Sequence, residues 1–424
     1  MNHAPVINLK SFFKFLFIYS KNLSFLLILI LLIGCSSSKR FTRNNDIKIN
    51  ESDGIRVLLS DANNDLIISV NGTISISDED GVIAVVNSGN KLKFINNTTD
   101  LNLIIGNRSF NSDRFIITPT DQSEIIKINN KRYRGRINIF IGDSKIIQIN
   151  QIGLEDYVKG VMTKEMPIGK GSENYDALKA FSICIRTYAY NKLTEKKDFF
   201  DIYSDTKDQV YGGVDGESEI TNNIVDETEG QLLFYENSPA VMFYHSTCGG
   251  QTENVQNVFG NNSIPYLISL KDGNEPYCKI SPRFEWTEKY SESTFINRLF
   301  KAKLIENENY FVSDILIESR FESGRVNELN IIVNDGNEIQ KTIFLKGNSI
   351  RSIIRSSDDK SILKSTLFDV SIDAERNIII NGKGNGHGVG LCQWGAIGQS
   401  KKGIEYRKIL NHYFPGTEIK SLYD

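Results

Sequence analysis

One carboxylate in this chain sits where chemistry could be done. Glu165 lies near the end of LEDYVKGVMTKEMP, residues 154–167. Leu154, Val158, Val161 and Met162 recur at helical spacing and define an apolar face. Glu155, Asp156, Lys159 and Lys164 lie off that face, but Glu165 follows Val161 by four, Val158 by seven and Leu154 by eleven. Its side chain therefore points the way the core residues point. Pro167 pushes Met166 out of helical geometry and ends the helix. Such a carboxyl has two reasons to keep its proton: partial desolvation and the partial negative charge of the helix C-terminus. A raised pKa is what a general acid near neutral pH needs. The same pattern also fits a glutamate snorkelling at the edge of the core, or one paired with a buried arginine.

Other candidates gather in two later stretches. AVMFYHSTCGG, residues 240–250, reads as a strand ending in His245, Ser246 and a glycine pair, a common setting for functional side chains. Adjacent residues on a strand face opposite ways, so His245 and Ser246 make a poor base–nucleophile pair. A serine or cysteine hydrolase built on Ser246 or Cys248 would need His387 or His412, and no GxSxG elbow is present. GKGNGHGVGLCQWGA, residues 382–396, has alternating glycines but fits neither the dinucleotide nor the phosphate-loop pattern. Alternating glycines allow a backbone to approach a polymer closely. His387, Gln393 and Trp394 make this run read as a binding surface, since aromatic faces suit sugar rings.

The elements that must hold these residues follow from the pattern around them. Ile55 to Ile152 is a succession of short, β-branched strand candidates separated by Gly, Asn, Asp and Ser turns. The basic run Lys131–Arg136 within it reads as a solvated hairpin or a contact for an anionic polymer. After Gly153 come the Glu165 helix and a second helix from about Glu173 to Leu193, with Leu178, Phe181, Ile185 and Tyr188 as its buried face. Arg186 and Tyr190 fall on an adjoining face, which makes Arg186 either a neighbour of a site or a plain ion-pair partner. Gln209 and Tyr211 alternate along an expected strand ending at Gly212-Gly213, and a further helix is expected over 219–229. A mixed insertion occupies about 282–375. The expected class is α+β: a β-rich part (51–152), then a mixed core (153–424) with a few helices and a β-rich insertion.

Composition narrows the partners and the compartment. A net charge of -3 leaves no electrostatic footprint for nucleic acid. Lys10, Lys14 and Lys21 precede the apolar run Leu23–Ile33, followed by Gly34-Cys35. This fits a lipoprotein signal peptide over 1–35, lipidation at Cys35 and a polar linker over 36–50; an uncleaved anchor is the alternative. Either way the remainder lies outside the cytoplasmic membrane. If the cell has two membranes, the absence of Asp after Cys35 points to the outer one, facing the periplasm. An exported compartment permits disulfides, and Cys184, Cys248, Cys278 and Cys392 allow three pairings. Cys248 and Cys278 sit in loop-like sequence and are the favoured bridge. No CxxC spacing announces a cysteine-rich zinc site.

Taken together, LEDYVKGVMTKEMP, DALKAFSICIRTYAY, DQVYGG, the stretch ETEGQLLFYENSPAVMFYHSTCGGQTENVQNVFG, GNGHGVGLCQWGA and ILNHYFPGTEI resemble, in content and order, the stage II sporulation protein D family. These are lytic transglycosylases and amidase enhancers of the bacterial cell wall. The resemblance covers about residues 153–419. It implies cleavage of the bond between N-acetylmuramic acid and N-acetylglucosamine in glycan strands stripped of stem peptides, leaving a 1,6-anhydro end. The family's EMP glutamate falls on Glu165. Matched positions expected to line the groove are Arg186, Tyr188, Gln209, Tyr211, His245, Ser246, His387 and Gln393. The implied partners are peptidoglycan glycan strands, an N-acetylmuramoyl-L-alanine amidase, and a membrane through the lipid. Some members bind zinc through cysteines and histidines near the QxYGG motif; here that stretch, DIYSDTKDQVYGG, has neither, so no metal and no cofactor is expected.

Overall fold

In the computed structural model, the strand Lys145–Ile152 runs through a single residue, Gly153, into helix α1, Leu154–Glu165. That junction joins the β-rich part to the helical core. The structure describes residues 54–423 apart from 63–64, 122–123, 170–171, 196–198, 261 and 337–339. The leader, Cys35 and the 36–50 linker lie outside the described residues. No helix among the described residues is long and apolar enough to cross a membrane.

The β-rich part is two antiparallel layers. A seven-stranded sheet runs in the order 202–203, 55–62, 145–152, 136–142, 114–119, 74–78 and 81–86. Only the edge strand Ile202–Tyr203 is parallel to its neighbour, pairing Val57 with Ile202. A six-stranded sheet runs in the order 131–133, 126–128, 66–70, 91–96, 101–105 and 108–112. Alternation drives the layering: Leu66, Ile68 and Val70, then Leu101, Leu103 and Ile105, are buried while their neighbours are less so. Phe94 of one sheet meets Phe115 of the other edge-to-face, with ring centroids 5.7 Å apart.

The mixed core is organised around helix α2, Tyr175–Thr194. It is buried nearly all round, as expected for a helix enclosed by other elements. Helices α1, α3 (Glu219–Glu227), α7 (Gln393–Lys401) and α8 (Tyr406–Tyr413) surround it. A small sheet of Gln231–Tyr235, Ser238–Pro239 and Glu418–Ser421 also packs there. Between these lie α4 (Val255–Phe259) and a separate apolar cluster reaching from Tyr290 to Ile380. Two three-stranded sheets build that cluster with α5 (Glu292–Lys301) and α6 (Ser349–Ile354). The α+β class is as expected, and so are the helices around 154, 175, 219, 292 and 406.

Three local expectations differ. Residues 209–212 form an extended loop, not a strand, held by Tyr211 N–H to Ser204 O and Gly212 N–H to Gly160 O. In 240–250 only Tyr244–His245 is strand, paired in parallel with Leu391–Cys392. The basic run 131–136 is not a free hairpin: Arg132 pairs with Asp215 at 2.7 Å and Arg134 with Glu217 at 2.9 Å. The 209–217 segment is thus clamped between the β-rich part and α1.

Gly160 makes that clamp tight. A Cβ there would lie 2.5 Å from the Tyr211 ring. The ring cannot retreat, because Tyr211 stacks on Tyr157 and meets the tilted ring of Tyr133, at centroid distances of 5.2 and 6.2 Å. Gly160→Ala should therefore destabilise by about 1–3 kcal/mol, despite alanine's better helix propensity. Urea unfolding of the two proteins checks this; an unchanged or raised midpoint would contradict it.

Candidate active site

Glu165 closes the last turn of α1, and Met166 leaves the helix in extended conformation at φ -133, ψ 137. The predicted apolar face is present: Leu154, Val158, Val161 and Met162 are buried. Glu165 itself is half-buried. Its carboxylate accepts a 2.6 Å hydrogen bond from the backbone N–H of Val210. Burial raises its pKa, and the Val210 bond, which favours the anion, offsets only part of that. The carbonyl of Glu165 accepts from Gln393 Nε2 at 2.9 Å, so the residue is fixed at both ends.

Tyr244 completes the immediate surroundings and is the residue that motif reading overlooked. Its hydroxyl is buried and faces the side-chain amide of Gln209. Burial first, and then the nearby Glu165 charge, push its phenol well above the usual value, so it stays a proton donor. Its position just before His245 in FYHSTCGG was the available signal. Gln209 is also buried: its side-chain oxygen accepts from Tyr157 at 3.1 Å, and its amide faces the Tyr244 hydroxyl. Tyr188 is half-buried and donates to Asp208 at 2.5 Å.

The glycine run pairs with the 240–250 segment. His245 and His387 lie with ring centroids 5.5 Å apart. The carbonyl of Val389 is 3.1 Å from His245 Nδ1, and the N–H of Val389 donates to His387 Nδ1 at 3.1 Å. Burial holds both imidazoles well below the ordinary histidine value, so they are neutral at neutral pH. Gly388 is required here, since a Cβ would lie 2.7 Å from the Arg325 guanidinium. Ser246 is half-buried and its hydroxyl lies 3.3 Å from that of Thr247. Among the described residues no imidazole hydrogen-bonds to it, which gives a serine hydrolase no support.

The expected groove set therefore divides. Glu165, Tyr188, Ser246 and His387 keep partial exposure, whereas Gln209, His245 and Gln393 form a buried layer behind them. Two residues are turned away altogether. Tyr211 is buried and its hydroxyl donates to Asn150 at 2.8 Å, so it props the loop that carries Val210. Arg186 is fully buried and forks onto Glu155, with Nε–Oε1 at 2.8 Å and Nη2–Oε2 at 2.7 Å. It also donates to the carbonyls of Gln231 and Val225. The face of α2 adjoining the apolar stripe is interior because the helix is enclosed, which makes Arg186 an ion-pair partner rather than a groove residue.

The cysteines also depart from expectation. Cys248 and Cys278 are free thiols with sulfurs 3.4 Å apart, so the expected bridge is not formed. Cys392 and Asp272 join them in one buried cluster able to hold a metal ion.

The site makes two physical predictions. Arg186→Met should destabilise by about 3–5 kcal/mol in chemical denaturation, because it strands the Glu155 charge. The second concerns pH. The native state holds the Glu165 proton more tightly than the unfolded chain does, so ionisation costs native stability as pH rises above the ordinary value of 4.5. Wild type should accordingly fall behind Glu165→Gln in urea midpoint as pH rises from there, and match it at lower pH. A difference of opposite slope would contradict the raised pKa.

The family model SpoIID, "Stage II sporulation protein", matches residues 142–235. A second model, DUF8618, a domain of unknown function, matches residues 255–390. An uncharacterized protein of Brachyspira hyodysenteriae is 31% identical over 294 residues, 69% of this chain and 73% of that one. Stage II sporulation protein D of Bacillus subtilis is 26% identical over 291 residues, 64% of this chain and 75% of its own. The amidase enhancer of the same organism is 27% identical over 341 residues, covering 70% of this chain but only 45% of the enhancer.

Proposed function

The chain belongs to the stage II sporulation protein D family, and on that premise we propose that it is a cell-envelope lytic transglycosylase acting on peptide-stripped peptidoglycan. The observation that carries this reading is the Glu165 carboxyl: half-buried, raised in pKa and aligned by the Val210 N–H. The protonated carboxyl would give its proton to the glycosidic oxygen between N-acetylmuramic acid and N-acetylglucosamine as that bond breaks. The resulting carboxylate would then take the proton of the muramic acid C6 hydroxyl as that oxygen bonds to C1. Atoms balance without water, and the carboxyl ends as it began.

A single acid is sufficient because the substrate supplies its own nucleophile. Ordinary glycosidases need a second carboxylate to activate water or attack the sugar. The Tyr244 hydroxyl, buried beside Glu165 and facing the Gln209 amide, would keep the surroundings of the carboxyl polar behind the bound sugar. The neutral His387 and the half-buried Ser246 and Tyr188 would contact the glycan further along. Lipidation at Cys35 would hold the enzyme to a membrane of the envelope, within reach of the wall.

One relative's name supports a second reading, a glycan-binding activator of an N-acetylmuramoyl-L-alanine amidase. The two readings separate in one experiment. The purified chain is incubated with amidase-treated glycan and anhydromuramyl ends are sought by mass spectrometry. Wild type should produce them, and Glu165→Gln should lose at least about 10²-fold in rate. The wild-type rate should fall as pH rises through the raised Glu165 pKa, since the first step needs the protonated form. Undiminished activity in Glu165→Gln would reject the assignment. An inactive wild type that stimulates an amidase would favour the second reading.

A further inference from the structure

Cys248, Asp272, Cys278 and Cys392 each present one ligand atom, and these four atoms lie within 4.8 Å of one another. We propose that they bind a structural zinc ion. All four residues are fully buried. The sulfurs of Cys248 and Cys278 are 3.4 Å apart. Tetrahedral zinc with zinc–sulfur bonds of about 2.3 Å requires sulfur–sulfur separations of about 3.8 Å, close to the Cys248–Cys278 distance and inside the 4.8 Å that contains all four ligand atoms. Three sulfurs and one carboxylate fill a tetrahedron, so no position remains for water or substrate, and the site is structural rather than catalytic.

The surroundings are built for thiolates. Cys248 N–H donates to the Cys392 sulfur at 3.1 Å, Gly395 N–H to the same sulfur at 3.3 Å, and Gly250 N–H to the Cys248 sulfur at 3.4 Å. The carboxylate is oriented as well: Asp272 accepts from Cys278 N–H at 2.7 Å and from the Tyr413 hydroxyl at 2.5 Å. Such outer partners fix ligand geometry in metal sites. Gly395 and Gly398 let α7 come close: a Cβ on Gly395 would lie 2.4 Å from Asp272 Oδ1, and one on Gly398 would lie 2.2 Å from Tyr277 O. On binding, each coordinating thiol gives its proton to solvent and the dication offsets the anionic ligands. The buried Arg325 guanidinium adds positive charge beside them, donating to Cys248 O at 2.6 Å.

The site lies apart from DIYSDTKDQVYGG, where the family resemblance places zinc in some members. Its ligands come from the 240–250 segment, the 272–278 loop and the start of α7. The ion would tie these together, and α7 begins with Gln393, which holds the Glu165 carbonyl.

The test uses the full chain purified without chelator or metal-affinity resin. Elemental analysis should find one zinc per chain, released by a mercurial that modifies thiols. Cobalt exchanged into the site should show the charge-transfer and d–d bands of tetrahedral thiolate coordination. Asp272→Asn and Cys392→Ser should each weaken zinc binding by about tenfold or more, at least what the loss of an outer partner costs. Cys184→Ala, a buried thiol outside the cluster, should keep it. A wild type that neither carries zinc as purified nor takes it up when reduced, whether or not a disulfide joins Cys248, Cys278 or Cys392, would overturn the proposal. So would zinc retained at full occupancy in both ligand variants.

Discussion

The hydrogen bond from Val210 N–H to the Glu165 carboxylate is the constraint on which the arrangement turns. A carboxyl with raised pKa is useful only if it points in one direction. Here one oxygen is held by a backbone amide that cannot rotate away. Val210 is in turn held by its neighbours: Gln209 against Tyr157, Tyr211 against Asn150, and Gly212 against Gly160. Asn150 belongs to the strand that feeds α1, so the acid and the group that aligns it hang from the same piece of sheet. Preorganisation is supplied by the β-rich part, although none of its residues is a candidate for the chemistry.

A second charged contact explains the position of α1. The Arg186–Glu155 pair is buried at the crossing of α1, α2 and the strand from Gln231, and its guanidinium is satisfied by two oxygens of Glu155 and two backbone carbonyls. Gly230 N–H donates to the same carboxylate. Buried pairs contribute less than their contact distances suggest, because both charges are desolvated, but they disfavour any packing that leaves one unmatched. Here that fixes the rotation of α1 about its axis, and hence the direction in which Glu165 points.

Much of this was legible in the chain. The periodicity of Leu154, Val158, Val161 and Met162 placed Glu165 correctly because a short helix against a core obeys its apolar stripe. Enclosure defeated the same reasoning elsewhere. Helix α2 is buried nearly all round, so the face carrying Arg186 had no polar side to betray its place. Helix α7 was missed because three of its nine residues are Gly or Ser, which weakens propensity, and its burial on every side removes amphipathic periodicity. The loop 209–212 imitates a strand because an extended backbone alternates its side chains whether or not it pairs. The sulfur cluster had no local signature at all, since its ligands at 248, 272, 278 and 392 meet only through the tertiary fold.

The single-residue joint at Gly153 bears on how such a chain can be rearranged. Two parts linked by a long tether can be exchanged, because neither depends on the other for direction. Here one residue separates the last strand of the sheet from the first turn of the acid-bearing helix, and the loop facing that helix is held from both sides. The β-rich part therefore behaves as a mount rather than a module. An altered twist at Lys145–Ile152 would be passed on to α1, and with it to the acid that α1 carries.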